Sequence, residues 1–291
     1  MRRTTVAIAV ALAVLVAAPV SAQRAEEEGV KLRRPSLTRY IVSAKKLEQA
    51  AASQYVQMRQ QAASRGSLAP ADDPQTKRVQ RIAQELLQYA NKWNPRAKDW
   101  QWEVILVKSR IVNAVCMPGG KIIIFSGLLD TLRLTDDEAA HVIGHEIAHA
   151  LREHARARVA KNTLTNAGAT VVAILVGGGA GDLVRQSGGV LALKFSRDDE
   201  READLLGLEL AARAGYNPQA SITLWEKMSK VAKSAAPSWL STHPSGEERI
   251  QRLKANLRLV MPLYERALAR KGQTPPSPPA NAPAMPSTPR N

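Results

Sequence analysis

Cysteine is almost missing from this chain. Cys116 stands alone among 291 residues, so no internal disulfide can form and the fold has to be held by its core and by what its polar side chains bind. The apolar pattern around it predicts a buried, inert thiol. Aromatic residues are scarce at 4%. The formal net charge of +15 is spread along helices without aromatic interleaving, which reads as a solvated surface and argues against a nucleic-acid partner. Such a surface also favours peripheral contact with anionic membranes or acidic partners. No apolar run reaches the roughly 20 residues that a membrane-spanning helix needs. Val6 to Ala18 falls short, and Val171 to Val176 is stopped by Gly177, Gly178 and Gly179. Internal repeats are absent as well.

What is present begins with an export pattern. Arg2 and Arg3 precede the apolar run, and Val20-Ser21-Ala22 is a small-residue cleavage site. Residues 1–22 are therefore expected to be a signal peptide, with Gln23 as the mature start and the periplasm as the destination. No cysteine follows that site, which disfavours a lipid anchor. Residues 23–73 read as a helical extension, with one helix expected from Ser36 to Arg65 and Tyr40, Ala44, Leu47, Ala51 and Tyr55 near one face. A main domain is expected over 74–270. It starts with a helix from Gln75 to Lys92 and continues through strands at Trp100 to Val107, Asn113 to Met117 and Lys121 to Phe125, the last two joined by a turn at Pro118-Gly119-Gly120. Thr135 and Glu138 form a capping box that opens a further helix. Helices are also expected at Ser196 to Arg213, from Asn217-Pro218 to Lys233, and from a second capping box at Ser245 and Glu248 through Leu257. Residues 162–195 are glycine-rich and apolar, and 176–189 are expected to form a lid. Residues 271–291 are a proline-rich tail.

The capped helix carries His145-Glu146-Ile147-Ala148-His149, an H-E-x-x-H run. Two histidines four apart on a helix project from one face, so both imidazoles can grip one Zn²⁺ while the intervening glutamate faces zinc-bound water. A catalytic zinc takes three protein ligands, and the third is sought in the acidic stretch Ser196 to Asp204. His141 and His154 fit no third-ligand position and read as partly exposed helix residues.

H-E-x-x-H followed by Ser196-Arg197, Glu200 and Ala203-Asp204 resembles the gluzincin metallopeptidase family that includes HtpX, BepA, the Oma-type and the CAAX prenyl proteases. The likeness runs from about Pro74 to Leu257. It takes in Asn113-Ala114, Pro118-Gly119-Gly120, Thr242-His243-Pro244 and Arg249. It implies a predominantly helical α+β gluzincin fold with a small β-sheet next to the zinc-binding helix, and one zinc held by His145, His149 and Glu200. Glu146 is then the general base, and Asp204 and Arg249 support the ligands from behind. Glu200 and Asp204 share a helix face, whereas Glu202 is turned about 200° away. For His243 the resemblance leaves two roles: hydrogen bonding to the oxyanion, or occupying the fourth zinc position and holding the enzyme latent. Asn113, Ala114 and Val115, or the strand at Lys121 to Phe125, would pair with an extended peptide. The implied activity is zinc-dependent endoproteolysis of misfolded or misassembled envelope proteins. A chaperone-like or latent zinc-binding module is the alternative. BepA-type proteins carry a tetratricopeptide array after the peptidase, where this chain has its proline-rich segment, so a role resting on that array is not expected here.

Overall fold

A computed structural model describes residues 28–164, 194–234, 237–243 and 246–273. The expected signal peptide, the lid at 176–189, nearly all of the proline-rich tail and the Ser245 cap lie outside these residues. In chain order the elements are a 3-10 turn at Leu37–Ile41, α1 (Ala44–Ser64), α2 (Pro74–Leu87), β1 (Glu103–Val107), β2 (Ala114–Met117), β3 (Lys121–Phe125), α3 (Ser126–Thr131), α4 (Asp136–Leu151), α5 (His154–Leu164), α6 (Arg197–Ala214), α7 (Ala220–Ser234), α8 (Ser238–Thr242) and α9 (Glu247–Arg270). The protein is thus a predominantly helical α+β structure with one small sheet.

The sheet has the order β1-β3-β2. β3 lies parallel to β1 and antiparallel to β2. The central strand is Lys121–Phe125, which corrects its candidacy for pairing with a peptide, because both of its edges are already used. Helices cover both faces of the sheet. Val104, Leu106, Ala114, Cys116, Ile122 and Ile124 pack with Val79, Ile82 and Leu86 of α2 and Ile143 and Ile147 of α4. Ile105, Met117 and Ile123 meet Leu47, Ala51 and Tyr55 of α1 and Ala155 and Val159 of α5. This explains why Ile122, Ile123 and Ile124 form an unbroken apolar run: each side of the strand is buried. Burying each of these side chains contributes about 1.5–3 kcal/mol.

Three helices differ from expectation. α2 ends at Leu87 and does not reach Lys92, where a separate 3-10 turn at Ala90–Lys92 takes over. The span from Ser36 to Arg65 is interrupted after the 3-10 turn, because Ser43 is extended and caps α1 by accepting from the Lys46 amide. Tyr40 consequently leaves the packed face and is 64% exposed. The last helix runs well past Leu257. Its apolar stripe continues through Val260, Leu263, Tyr264, Ala267 and Leu268, all buried. That burial outweighs the single backbone hydrogen bond forfeited at Pro262.

α4 is the central element, buried from Glu138 through Leu151. Its capping box is complete: the Thr135 amide donates to Glu138 Oε2 at 2.9 Å and the Glu138 amide to Thr135 Oγ1 at 3.3 Å. α6 begins with a second box, formed by Ser196 and Asp199. These two helices cross at a pair of glycines. A Cβ added at Gly207 would lie 2.7 Å from the His145 backbone nitrogen, and one at Gly144 would lie 3.0 Å from the Gly207 carbonyl oxygen. Only glycine permits this separation, and it sets how closely the histidines of α4 approach the carboxylates of α6.

Gly207→Val is therefore expected to lower stability by at least about 2 kcal/mol through overpacking against backbone. Urea unfolding measures this directly, and a wild-type midpoint would show that the crossing tolerates a side chain.

Candidate metal centre

His145 and His149 lie one turn apart on α4, Glu200 sits in the first turn of α6, and His243 follows α8. One ligand atom from each lies within 4.8 Å of all the others, and all four residues are buried. The spacings have a specific value. His145 Nε2 is 3.1 Å from His149 Nε2, 3.3 Å from His243 Nδ1 and 3.5 Å from Glu200 Oε2. Glu200 Oε1 is 3.5 Å from His149 Nε2 and 2.9 Å from His243 Nδ1. A tetrahedral zinc with bonds of 2.0–2.1 Å has ligand–ligand edges of about 3.3 Å. Three imidazole nitrogens and the two oxygens of one carboxylate at these separations fit zinc in donor chemistry and in approximate size, with His243 Nδ1 available as a fourth donor.

Electrostatics around the cluster are compensated on the far side. Arg249 donates to Glu200 Oε2 through Nη1 at 2.8 Å and to Asp204 Oδ2 through Nε at 2.8 Å. Asp204 Oδ1 is 3.2 Å from His145 Nδ1. Burial opposes charge on His145 but is outweighed there, where hydrogen bonds with Asp204 and Glu200 raise the pKa to about 9. Burial would also raise Glu200, but hydrogen bonds from His145, His149 and His243 hold its carboxyl well below the usual range. Asp204 is lowered because the Arg249 charge and the His145 contact overcome its burial. His149 goes the other way: burial, helped by the neighbouring His145 and His154, outweighs its Glu200 contact and drives it well below the ordinary imidazole value. A neutral imidazole is the form that binds a metal.

Glu146 is 2% exposed and faces this cluster from α4. Its Oε1 accepts from the Trp239 indole Nε1 at 2.8 Å and lies 3.4 Å from His243 Nε2. Trp239 stacks on Trp225 with ring centroids 5.2 Å apart, and the Arg249 guanidinium covers the other ring of that pair at 3.7 Å. Phe195 stacks on His149 at 4.0 Å. The sequence reading passed over Trp239 and Phe195. An aromatic residue just ahead of the Thr242-His243 pair was the available signal for the first.

The structure brings His145, Glu146, His149, Glu200, Asp204, His243 and Arg249 together as the motifs imply. Asn113, Ala114 and Val115 lie on or next to β2, an edge strand of the sheet. Both remaining histidines correct their expectation of partial exposure. His141 is 5% exposed and His154 is 4% exposed. Nε2 of His141 meets the Asn217 carbonyl at 2.9 Å, and burial lowers its pKa to about 4. Nδ1 of His154 meets His149 Nδ1 at 3.0 Å. Cys116 is buried and free as expected, its thiol pKa pushed up by burial and by the nearby Glu146 charge.

Comparison with known proteins agrees with this geometry. Residues 73–257 match the model of Peptidase family M48. The mitochondrial metalloendopeptidase OMA1 of Arabidopsis thaliana is 44% identical over 149 residues, covering 51% of this chain and 30% of that protein. Metalloprotease LoiP of Escherichia coli K12 is 33% identical over 196 residues, covering 66% of this chain and 74% of LoiP. The beta-barrel assembly-enhancing protease of Escherichia coli O157:H7 is 30% identical over 202 residues, covering 64% and 40%. The chain spans roughly a third to a half of the length of the plant and yeast OMA1 proteins it matches.

Arg249→Leu would leave Glu200 and Asp204 buried without their cation. The metal-free protein is expected to lose about 3–5 kcal/mol, and saturating zinc should restore part of this by binding the folded state alone. Urea titrations with a chelator and with zinc test both halves. Equal stability of variant and wild type in chelator would remove Arg249 as the compensating charge.

Proposed function

The chain belongs to peptidase family M48, and from that premise we propose that it is an exported zinc endopeptidase that cleaves unfolded or misassembled envelope proteins, with His145, His149 and Glu200 as zinc ligands and Glu146 as general base. The observation that carries this reading is the near-tetrahedral spacing of ring nitrogens and carboxylate oxygens with Glu146 beside them. Zinc held there would supply Lewis acidity, making water nucleophilic at neutral pH and polarising the scissile carbonyl. The chain's own residues do the rest. Glu146 is fixed through Oε1 by the Trp239 indole, which leaves Oε2 to take a proton from the attacking water and return it to the leaving amine. Arg249 and Asp204 hold Glu200 and His145 in place.

His243 has its role in the resting state. Its Nδ1, 3.3 Å from His145 Nε2 and 2.9 Å from Glu200 Oε1, would be a fourth donor in the position the attacking water needs, and its amide is tied to the Trp239 carbonyl at 2.8 Å. The described arrangement is read as latent, with turnover requiring His243 to withdraw. The alternative role at the oxyanion needs a water already in that position.

The peptide is read as pairing with the outer edge of β2. The Phe125 amide donates to the Asn113 carbonyl at 3.1 Å, and Val115 pairs with Ile123. Backbone groups alternate sides along an antiparallel ladder, so Asn113 and Val115 bond to β3 while Ala114 and Cys116 present theirs outward. Of the expected trio, Ala114 is then the residue whose backbone faces outward, joined by Cys116; the Ala114 carbonyl is the group on offer, because its amide donates to Asn113 Oδ1 at 3.0 Å. Cys116 lines a cavity together with His149 and Phe195, which connects this edge to the cluster. Export is supported by the basic and apolar residues of the first 22 positions and by the small-residue site ending at Ala22. Envelope substrates are further supported by the name of the beta-barrel assembly-enhancing relative.

With unfolded casein as substrate, wild-type cleavage should be lost to a zinc chelator and regained with zinc. Glu146→Gln should keep zinc and lose at least about 100-fold in rate; cleavage by a zinc-loaded Glu146→Gln protein would end its assignment as the base. His243→Ala should retain zinc and cleave faster than wild type. A fall of about 100-fold or more would instead assign His243 to the oxyanion. Export predicts a mature protein starting at Gln23 in periplasmic extracts, and a chain found only in the cytoplasm with Met1 intact would refute it.

A further inference from the structure

Each α4 histidine of the cluster has a second ring nitrogen, and the two are backed differently. His145 Nδ1 meets the Asp204 carboxylate directly at 3.2 Å. Among the described residues His149 Nδ1 meets no carboxylate, and it lies instead 3.0 Å from His154 Nδ1. The other nitrogen of His154, Nε2, lies 3.4 Å from Glu202 Oε2. Glu202 is itself clamped, with Arg152 Nε donating to Oε2 at 2.8 Å and Arg33 Nε to Oε1 at 3.0 Å.

We propose that His154 is a positioning residue for the metal, relaying the Glu202 carboxylate to His149. The inference rests on the zinc site proposed above. The direction of the relay follows from proton counting. A metal at His149 Nε2 requires the ring proton on Nδ1, because a neutral imidazole has only one. That proton is donated to His154 Nδ1, so His154 carries its own proton on Nε2, where it is donated to Glu202. A single tautomer satisfies every contact. The effect is the one a carboxylate has on a ligating histidine: it fixes the ring and raises its basicity. Here it acts through an interposed imidazole.

The fold has been arranged for this contact. In one continuous helix, residues five apart are rotated by about 140°, and His154 would face away from His149. α4 instead ends at Leu151, and Glu153 takes a left-handed conformation at φ 55°, which is costly for a residue other than glycine. The chain restarts at His154 with the imidazole turned back, ring centroids 4.9 Å apart. On α6, Glu202 points away from the face shared by Glu200 and Asp204, and therefore toward His154. The two carboxylates behind the metal site come from opposite faces of a single helix.

The test is zinc affinity, measured on folded metal-free protein by competition with a chromophoric chelator, so that no turnover is involved. His154→Leu keeps bulk but lacks an acceptor and should weaken zinc binding by about 10–100-fold. His154→Asn places its Oδ1 where Nδ1 stands and should recover most of that loss. A merely structural role would lower the melting temperature of His154→Leu with zinc affinity unchanged, and that result overturns the proposal, as does an equal loss in His154→Asn. If His154→Leu does not fold, Glu202→Gln carries the test: it should weaken zinc in the same direction, and wild-type affinity there refutes the relay. Failure of the wild type to bind zinc would instead refute the metal site itself, which separates the two readings.

Discussion

Two helices can bring histidines and carboxylates to a common point only if their backbones approach more closely than ordinary side chains permit. At Gly144 and Gly207 this protein removes the side chains altogether, and α4 and α6 meet backbone to backbone. The consequences run outward from that crossing. One residue beyond Gly144 is His145, and two turns before Gly207 is Glu200. The interhelical distance set by the glycines thus becomes the ligand spacing of the cluster. The sheet and α2 pack on one flank of α4, and α6 and α7 brace the other, so α4 has no exposed face from Glu138 to Leu151 along which it could shift.

Such an interior contains charge that must be compensated. Glu138, Glu146, Glu200, Glu202, Asp204 and Glu209 are all buried. Each meets donors placed by a different element: Lys227 for Glu138, Trp239 for Glu146, Arg249 for Glu200 and Asp204, Arg152 for Glu202, and Arg213 with the Val30 amide for Glu209. Part of the basic excess in the composition is therefore not a solvated surface. It is internal counter-charge, and at Arg152 and Arg249 it stands directly behind the residues proposed to hold zinc. Buried pairs of this kind add little net stability over an apolar core, but breaking one is expensive. They fix the geometry of the cluster more than they strengthen the fold.

Local signals were legible to the extent that they are local. Thr135 and Glu138 announce the start of α4 because a capping box closes within four residues. The spacing of His145 and His149 is meaningful because an α-helix repeats every 3.6 residues. The β2–β3 turn shows in its paired glycines, both of which adopt positive φ. Errors arose where a distant partner decided the outcome. Tyr40 was assigned to a packed face that the break at Ser43 turns outward. The last helix was ended at Leu257, although α6 and α7 offered it a surface on which to continue. His154 reads as a partly exposed helix residue, but the break at Glu153 turns it inward, where it is 4% exposed.

Sequence alone determined the candidate residues of the cluster, the helices that carry them and the family resemblance, because each rests on spacing within one segment or on a motif readable as a string. Tertiary structure decided which strand is central, which histidines are buried, that the Trp239 indole holds Glu146, and that His243 Nδ1 lies beside His145 Nε2. The strand order rests on pairings within about 20 residues, whereas the others depend on distances between segments from about 50 to nearly 100 residues apart in the chain, such as the 2.8 Å from Trp239 to Glu146 and the 3.3 Å from His145 to His243. Periodicity carries no information about such distances. They are set by how closely helices pack, and here that is set by two glycines.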